Sequence, residues 1–216
     1  MSSSRHRRAR LRGALLLPGA LVLAGCDSND GGMDDPVEVT TLADVVSQTD
    51  NLSTLSDALG AANRTGTLDN QDATFTVFAP SNSALSAYDV DFLVNNADLL
   101  GDVIDYHVVQ GSAVTSDQLS DGDTFETVQG DQIEVSIDED GNVFVEGAPV
   151  TTPDVEADNG VAHVVGDVLL TNRTAAERLQ VTSATEQLYQ AIDNAGLAGA
   201  FGDSNNTWTT FAPDNA

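Results

Sequence analysis

Apolar residues recur at helical spacing in the first part of the chain: Leu42, Val45 and Val46 follow Thr40 and Thr41, and Leu52, Leu55, Ala58, Leu59 and Ala62 follow Asn51 and Ser53. One-face periodicity behind a hydroxyl or amide cap predicts two amphipathic helices. Gly66 to Gln71 is polar and predicts a loop. The run Phe75-Thr76-Val77-Phe78-Ala79 predicts a strand that ends at Pro80, which brings no ladder donor, and Ser81 or Asn82 can cap a helix carrying Ala84 and Leu85. Phe92, Leu93, Leu99, Leu100, Val103 and Ile104 suit two more helical pieces broken near Asn95-Asn96. Beyond Gly111 the pattern changes to alternation, through Thr124, Val128, Ile133, Val135 and Ile137. Glu139-Asp140-Gly141-Asn142 then predicts a hairpin turn into Val143, Phe144 and Val145. Val150 and Val155 belong to a further strand, and Val161 to Val165 and Val168 to Leu170 make two last ones around Gly166-Asp167. Helices followed by a mainly antiparallel sheet predict an α+β domain.

The pattern then repeats. Thr74 to Asn82 returns as Thr207 to Asn215, 133 residues on, and Leu55, Ala58, Leu59 and Ala62 return at the same offset as Leu188, Ala191, Ile192 and Ala195. A constant offset points to a duplicated unit. The expected organisation is a complete domain over residues 39–172, a link over 173–180 and a truncated second copy over 181–216. In that copy Leu188, Ile192, Leu197, Trp208 and Phe211 are expected to face a sheet that the sequence does not supply.

The amino terminus reads as an address rather than as fold. Five arginines between Arg5 and Arg12 precede an apolar run from Ala14 to Val22, too short for a stable bilayer span, and Leu23-Ala24-Gly25-Cys26 follows. That ending resembles a bacterial lipoprotein signal. Residues 1–25 are therefore expected as a signal peptide, Cys26 as the lipid-attachment residue, and 26–38 as an acidic flexible tether to the lipid bilayer. Cys26 is the only cysteine, so an internal disulfide is impossible. Past Cys26 three arginines stand against 34 Asp plus Glu, a formal charge of −31, and lysine is absent. A surface so acidic repels phosphate backbones and excludes nucleic acid as a partner. It also repels itself, a load that concentrated salt screens, since the Debye length shrinks to about 3 Å at 1 M.

Three stretches carry a family likeness. Phe75 to Asn82, Tyr106-His107-Val108-Val109 and Asn159-Gly160-Val161-Ala162-His163-Val164-Val165 resemble, in order and spacing, the signature stretches of fasciclin domains, and Gly141 to Ala148 looks like the family's hairpin. The resemblance runs from about Val39 to Leu170, and the second copy carries only the first signature. It implies a β-wedge or sandwich of mainly antiparallel strands covered by helices. It also implies an extracellular adhesion or interaction role toward a protein or polysaccharide partner, with no catalytic machinery. Glu146, Gly166 and Thr171 depart from the family pattern at turns.

Candidate chemistry is sparse. Past the signal, His107 and His163 are the only histidines, and no His-x-x-x-His, second cysteine or Gly-x-Ser-x-Gly accompanies them. No catalytic residue, cofactor or metal is expected. The alternative is a small-ligand protein or hydrolase with a pocket near His107 or His163. The Tyr-His stretch, associated with integrin adhesion in some animal members, makes Ile104, Tyr106, His107 and Val108 candidate partner contacts. Asp138 to Asn142 lacks the further oxygen ligands of a calcium loop and reads as a solvated turn.

Overall fold

The computed structural model describes residues 40–170, 173–203 and 208–215. The expected signal peptide, the tether and Cys26 lie outside the described residues.

Thr41 opens α1 (Leu42–Gln48) with a capping box, its hydroxyl accepting the Asp44 N–H at 3.3 Å while the Asp44 carboxylate accepts the Thr41 N–H at 3.0 Å. A 3-10 turn, Asp50–Leu52, leads into α2 (Ser53–Ala61). Leu42, Val46, Leu55, Ala58 and Leu59 form their buried stripe. The stretch expected as a loop contains part of a one-turn helix, α3 (Thr65–Leu68), because Leu68 is drawn into the core at 1 % exposure.

β1 (Phe75–Pro80) is followed by α4 (Asn82–Leu85), α5 (Val90–Asn95) and α6 (Ala97–Tyr106). The β half comprises β2 (Val108–Gln110), β3 (Thr124–Glu126), β4 (Gln132–Ile137), β5 (Val143–Val145), β6 (Ala148–Ala157) and β7 (Gly160–Val165). These strands form one sheet in the order β2-β1-β7-β6-β5-β4-β3. All neighbours run antiparallel except β1 and β7, which pair in parallel from Phe75↔Gly160 to Pro80↔Val165. Pro80 sits at the strand's last position, where a missing N–H costs least. The two ends of the sheet curl together: Val109 bridges Thr127, and Val128 N–H donates to Val108 O at 2.7 Å.

β1 and β7 are buried at every position, which is why neither shows alternation in the sequence. Phe75, Val77, Ala79, Ala162 and Val164 pack with the helices, whereas Phe78, Val109 and Val165 join Tyr106, Ile133, Val135 and Val145 inside the β-wedge. The three signature stretches thus become three neighbouring strands, β2, β1 and β7, with a core on either side. Val168 to Leu170, expected as a strand, are buried without a ladder. The Leu169 N–H goes to a side chain instead, as described below.

Behind the sheet come α7 (Ala175–Val181), a 3-10 turn Ser183–Thr185, α8 (Glu186–Asn194) and α9 (Ala198–Phe201). Each begins 133 residues after α1, Asp50–Leu52, α2 and α3 respectively. Most of the stretch expected as a link is therefore the counterpart of the first helix, and Thr174 with Glu177 repeats the Thr41–Asp44 capping box. α7 buries Ala176, Leu179 and Val181, and the chain beyond it is stitched to the loop before α5, where Asp89 N–H donates to Val181 O at 2.8 Å and Ser183 N–H to Ala87 O at 3.1 Å.

Candidate functional site

All four candidate contact residues are interior: Ile104 is 6 % exposed, Tyr106 2 %, His107 4 % and Val108 3 %. Their helical and strand spacing turns them inward, where aliphatics pack and polar atoms find internal partners. The Tyr106 hydroxyl reaches Gln132 O at 3.2 Å. His107 ends α6, with Nδ1 2.6 Å from Val103 O and Nε2 2.9 Å from the Leu169 backbone nitrogen. A carbonyl can only accept and an N–H can only donate, so the partners assign Nδ1–H with a lone pair on Nε2. Burial disfavours the imidazolium and pulls the His107 pKa down to about 4, although the Val103 carbonyl favours the charged form. Both nitrogens are occupied, which leaves no lone pair for a metal and no site for a substrate proton.

His163 is likewise saturated. It is fully buried on β7, stacked on Phe78 at 5.6 Å between ring centroids, with Nε2 2.8 Å from Val114 O and Nδ1 facing the Asp154 N–H at 3.4 Å. Ser116 and Asp154 lie close enough to suggest a Ser-His-Asp relay, but the order is wrong. Asp154 stands in the middle: its carboxylate accepts the Ser116 hydroxyl and the Ser116 N–H, the latter at 2.7 Å, and lies 4.0 Å from His163 Nδ1. A relay needs the imidazole between hydroxyl and carboxylate. These contacts instead tie the 3-10 turn Ser116–Gln118 to the bulge in β6, where Asp154 adopts φ 56°. The two hydrogen bonds from Ser116 hold the Asp154 carboxyl below the usual range.

An apolar cavity of about 30 Å³ lies beside His107, lined by residues such as Leu59, Val77, Phe78, Ile104 and Val168. Small-molecule sites occupy roughly 300–1,000 Å³, so the void is a packing gap. A surface cleft of about 200 Å³ between α1, α2 and α3 carries Asp44 and Asp69, both turned to the Thr41 hydroxyl at 3.0 and 3.1 Å. At the hairpin tip Asp138 is engaged by its own loop, through Asn142 Nδ2 and N–H at 2.8 Å each and Asp140 N–H at 3.0 Å, which depresses its pKa.

Two residues organise the signatures more than periodicity suggested. Asn159, 4 % exposed, accepts the Leu42 N–H at 2.8 Å and donates to Leu68 O and Asn70 O at 2.8 and 3.1 Å, holding α1 and the end of α3 to the start of β7. Asn82 accepts the Thr54 N–H at 3.0 Å and donates to Asp50 O at 2.9 Å, clamping the start of α2 to the exit of β1. The readable signal was an asparagine just before Gly160 and another two residues after Pro80, where a short amide side chain can bond nearby backbone groups.

The described residues form a seven-stranded wedge under helices, with both histidines of the signature stretches bonded to backbone groups. The chain belongs to the fasciclin family: the model described as the fasciclin domain matches residues 50–171. Protein sll1483 of Synechocystis sp. is 35 % identical over 135 residues, 60 % of this chain and 73 % of that protein. The cell surface glycolipoprotein MPB83 of Mycobacterium bovis is 33 % identical over 154 residues, 68 % of this chain and 65 % of that protein. Among solved structures, the FAS1 domain pair of the insect cell adhesion molecule fasciclin I matches at 17 % identity and a TM-score of 0.39, covering 79 % of this chain and 58 % of that one.

Proposed function

We propose that this protein is a lipid-anchored adhesion or interaction protein of the cell envelope, held by acylated Cys26 and presenting its fasciclin domain outside the cytoplasm to a protein or polysaccharide partner. The observation that carries the reading is the fasciclin match over residues 50–171. The likeness to a cell surface glycolipoprotein and the Leu23-Ala24-Gly25-Cys26 ending support the anchor. The occupied nitrogens of His107 and His163 argue against the hydrolase reading. Since Ile104, Tyr106, His107 and Val108 are interior, contact with a partner falls to the acidic exterior, which favours neutral or basic surfaces.

The test is adhesion by cells carrying the wild-type gene, a deletion, or Cys26→Ser, scored on protein-coated and polysaccharide-coated surfaces with parallel membrane fractionation. Adhesion that falls in the deletion, and protein that leaves the membrane fraction in Cys26→Ser, are expected. Unchanged adhesion in the deletion would defeat the adhesion role, and normal processing and retention of Cys26→Ser would defeat the anchor.

A further inference from the structure

We infer that the outer face of β3, β4 and β5 is a docking surface, centred on Phe144, for an arginine-bearing segment of another protein. The inference rests on the adhesion reading for the existence of a partner and names the chemistry that the partner brings.

Phe144 is the odd aromatic of the domain. Phe75, Tyr88 and Phe92 pack in or against the helical core, and Phe78, Tyr106 and Phe125 in or against the wedge core, but Phe144 belongs to neither. Strand alternation is the reason. Val143 and Val145 turn into the wedge on β5, as do Ile133 and Val135 on β4, so Phe144, Glu134 and Ser136 face the other way. Register seats Phe144 between Ser136 and Pro149, both exposed, and the ring itself is half-buried. Helices cover the outside of the sheet elsewhere: their core takes in residues of β1, β2, β6 and β7 but none of β3, β4 or β5. The whole face lies inside the matched domain.

Charge decides the occupant. Between Val108 and Leu170 the chain has no lysine or arginine. Glu134 and Glu146 stand on neighbouring segments of chain, with Glu146 Oε1 accepting the Glu134 N–H at 2.8 Å and the Glu146 N–H donating to Glu134 O at 2.9 Å. Exposed Glu126, on β3, is the diagonal neighbour of Glu134 on its other side. Like charges so placed are unfavourable, and among the described residues no cation pairs with them. An arriving cation relieves that repulsion and is attracted by the Phe144 ring as well. Guanidinium suits both demands better than ammonium, because it stacks flat on an aromatic face and still offers N–H groups at its edge to a carboxylate. Glu134 is the diagonal neighbour of Phe144 across β4 and β5, roughly 7–8 Å away, a span that one arginine bridges. A neutral sugar ring also stacks on an aromatic but gains nothing from the charge, and a second copy of this acidic chain is repelled by it.

A peptide of alternating arginine and glycine is titrated calorimetrically into the 216-residue chain, with circular dichroism to confirm that each variant is folded. Saturable binding is expected, weaker by at least about threefold for Phe144→Leu and for Glu134→Gln. Asp57→Asn, which removes one exposed charge from α2 in the helical layer, should leave affinity unchanged. Glu134→Gln keeps side-chain size and backbone bonds, and decides the matter if Phe144→Leu does not fold. The inference is overturned by no saturable heat up to millimolar peptide, by unchanged affinity in Glu134→Gln, or by Asp57→Asn weakening binding as much. It is equally overturned if peptides with lysine or citrulline in place of arginine bind as well, or if maltohexaose, a neutral oligosaccharide, displaces the peptide. Absent peptide binding with cell adhesion intact strikes this surface alone, whereas bound peptide with adhesion unchanged in the gene deletion strikes the adhesion reading alone.

Discussion

The Nε2 atom of His107 accepts the backbone N–H of Leu169 at 2.9 Å, so a helix end and the segment leaving β7, 62 residues apart, meet through one neutral imidazole. A protonated ring would set two donors face to face at that point. The folded pKa of about 4 lies below the ordinary 6.5, so the unfolded chain takes the proton first. Stability from the neutral ring is then complete above pH 6.5, declines as pH falls and is lost below pH 4. The total is roughly 3 kcal/mol. Denaturant midpoints of wild type should fall across that window in molar salt, and those of His107→Gln should fall much less.

Gly160→Ala should be among the most damaging single-methyl changes, because the nearest obstacle to a Cβ is the Phe75 carbonyl rather than a side chain that can swing away. A loss of at least about 3 kcal/mol is expected in urea unfolding. Gly66→Ala, with nothing within 4 Å of the new methyl, is the control and should be neutral or slightly stabilising.

The arginines should behave oppositely. Arg64 grips Asp105 with Nε and Nη2 at 2.8 Å each, whereas half-buried Arg173 has its Nε and Nη2 atoms buried and unpartnered, with Asp102 3.6 Å from Nη1. Arg64→Met should lower stability by about 0.5–1 kcal/mol. Arg173→Met removes buried, unsatisfied donors and should leave thermal stability equal or higher.

Salt should stabilise the fold. Folding concentrates the carboxylates of a chain that carries −31 past Cys26. Their mutual repulsion is felt over about 30 Å at 0.01 M salt but only about 3 Å at 1 M. The melting midpoint at neutral pH should climb between millimolar and molar sodium chloride, by roughly 2–4 °C for each kcal/mol gained. A flat or falling midpoint would remove screening as the reason for the acidity.

Much of this architecture was legible because it is local. Thr41 with Asp44, Ser81 before α4, and the Asp138 to Asn142 turn are each decided within a few residues. The parallel pairing of β1 with β7 has no local mark, and an all-apolar strand looks the same whichever neighbour it takes. Thr174 and Glu177 did carry a capping-box signature, yet the surrounding polar residues made the helix read as a link. The resemblance of the Tyr-His stretch makes Ile104, Tyr106, His107 and Val108 candidate contacts, yet an aliphatic run beside an aromatic and a histidine has the composition of an interface and of a core alike. Burial decides between them, and burial depends on strands that arrive later in the chain.

Those late arrivals set the kinetics. Phe75 and Gly160 pair although 85 residues separate them, so a chain emerging amino terminus first holds β1 against β2 alone until β7 arrives. Contacts of such sequence separation are entropically costly to close and slow to form. The rate-limiting event in folding is expected to be the capture of β7 by β1. Before that capture one edge of β1 stays unpaired, the kind of transient opening that exposes a folding chain to chaperones and to aggregation.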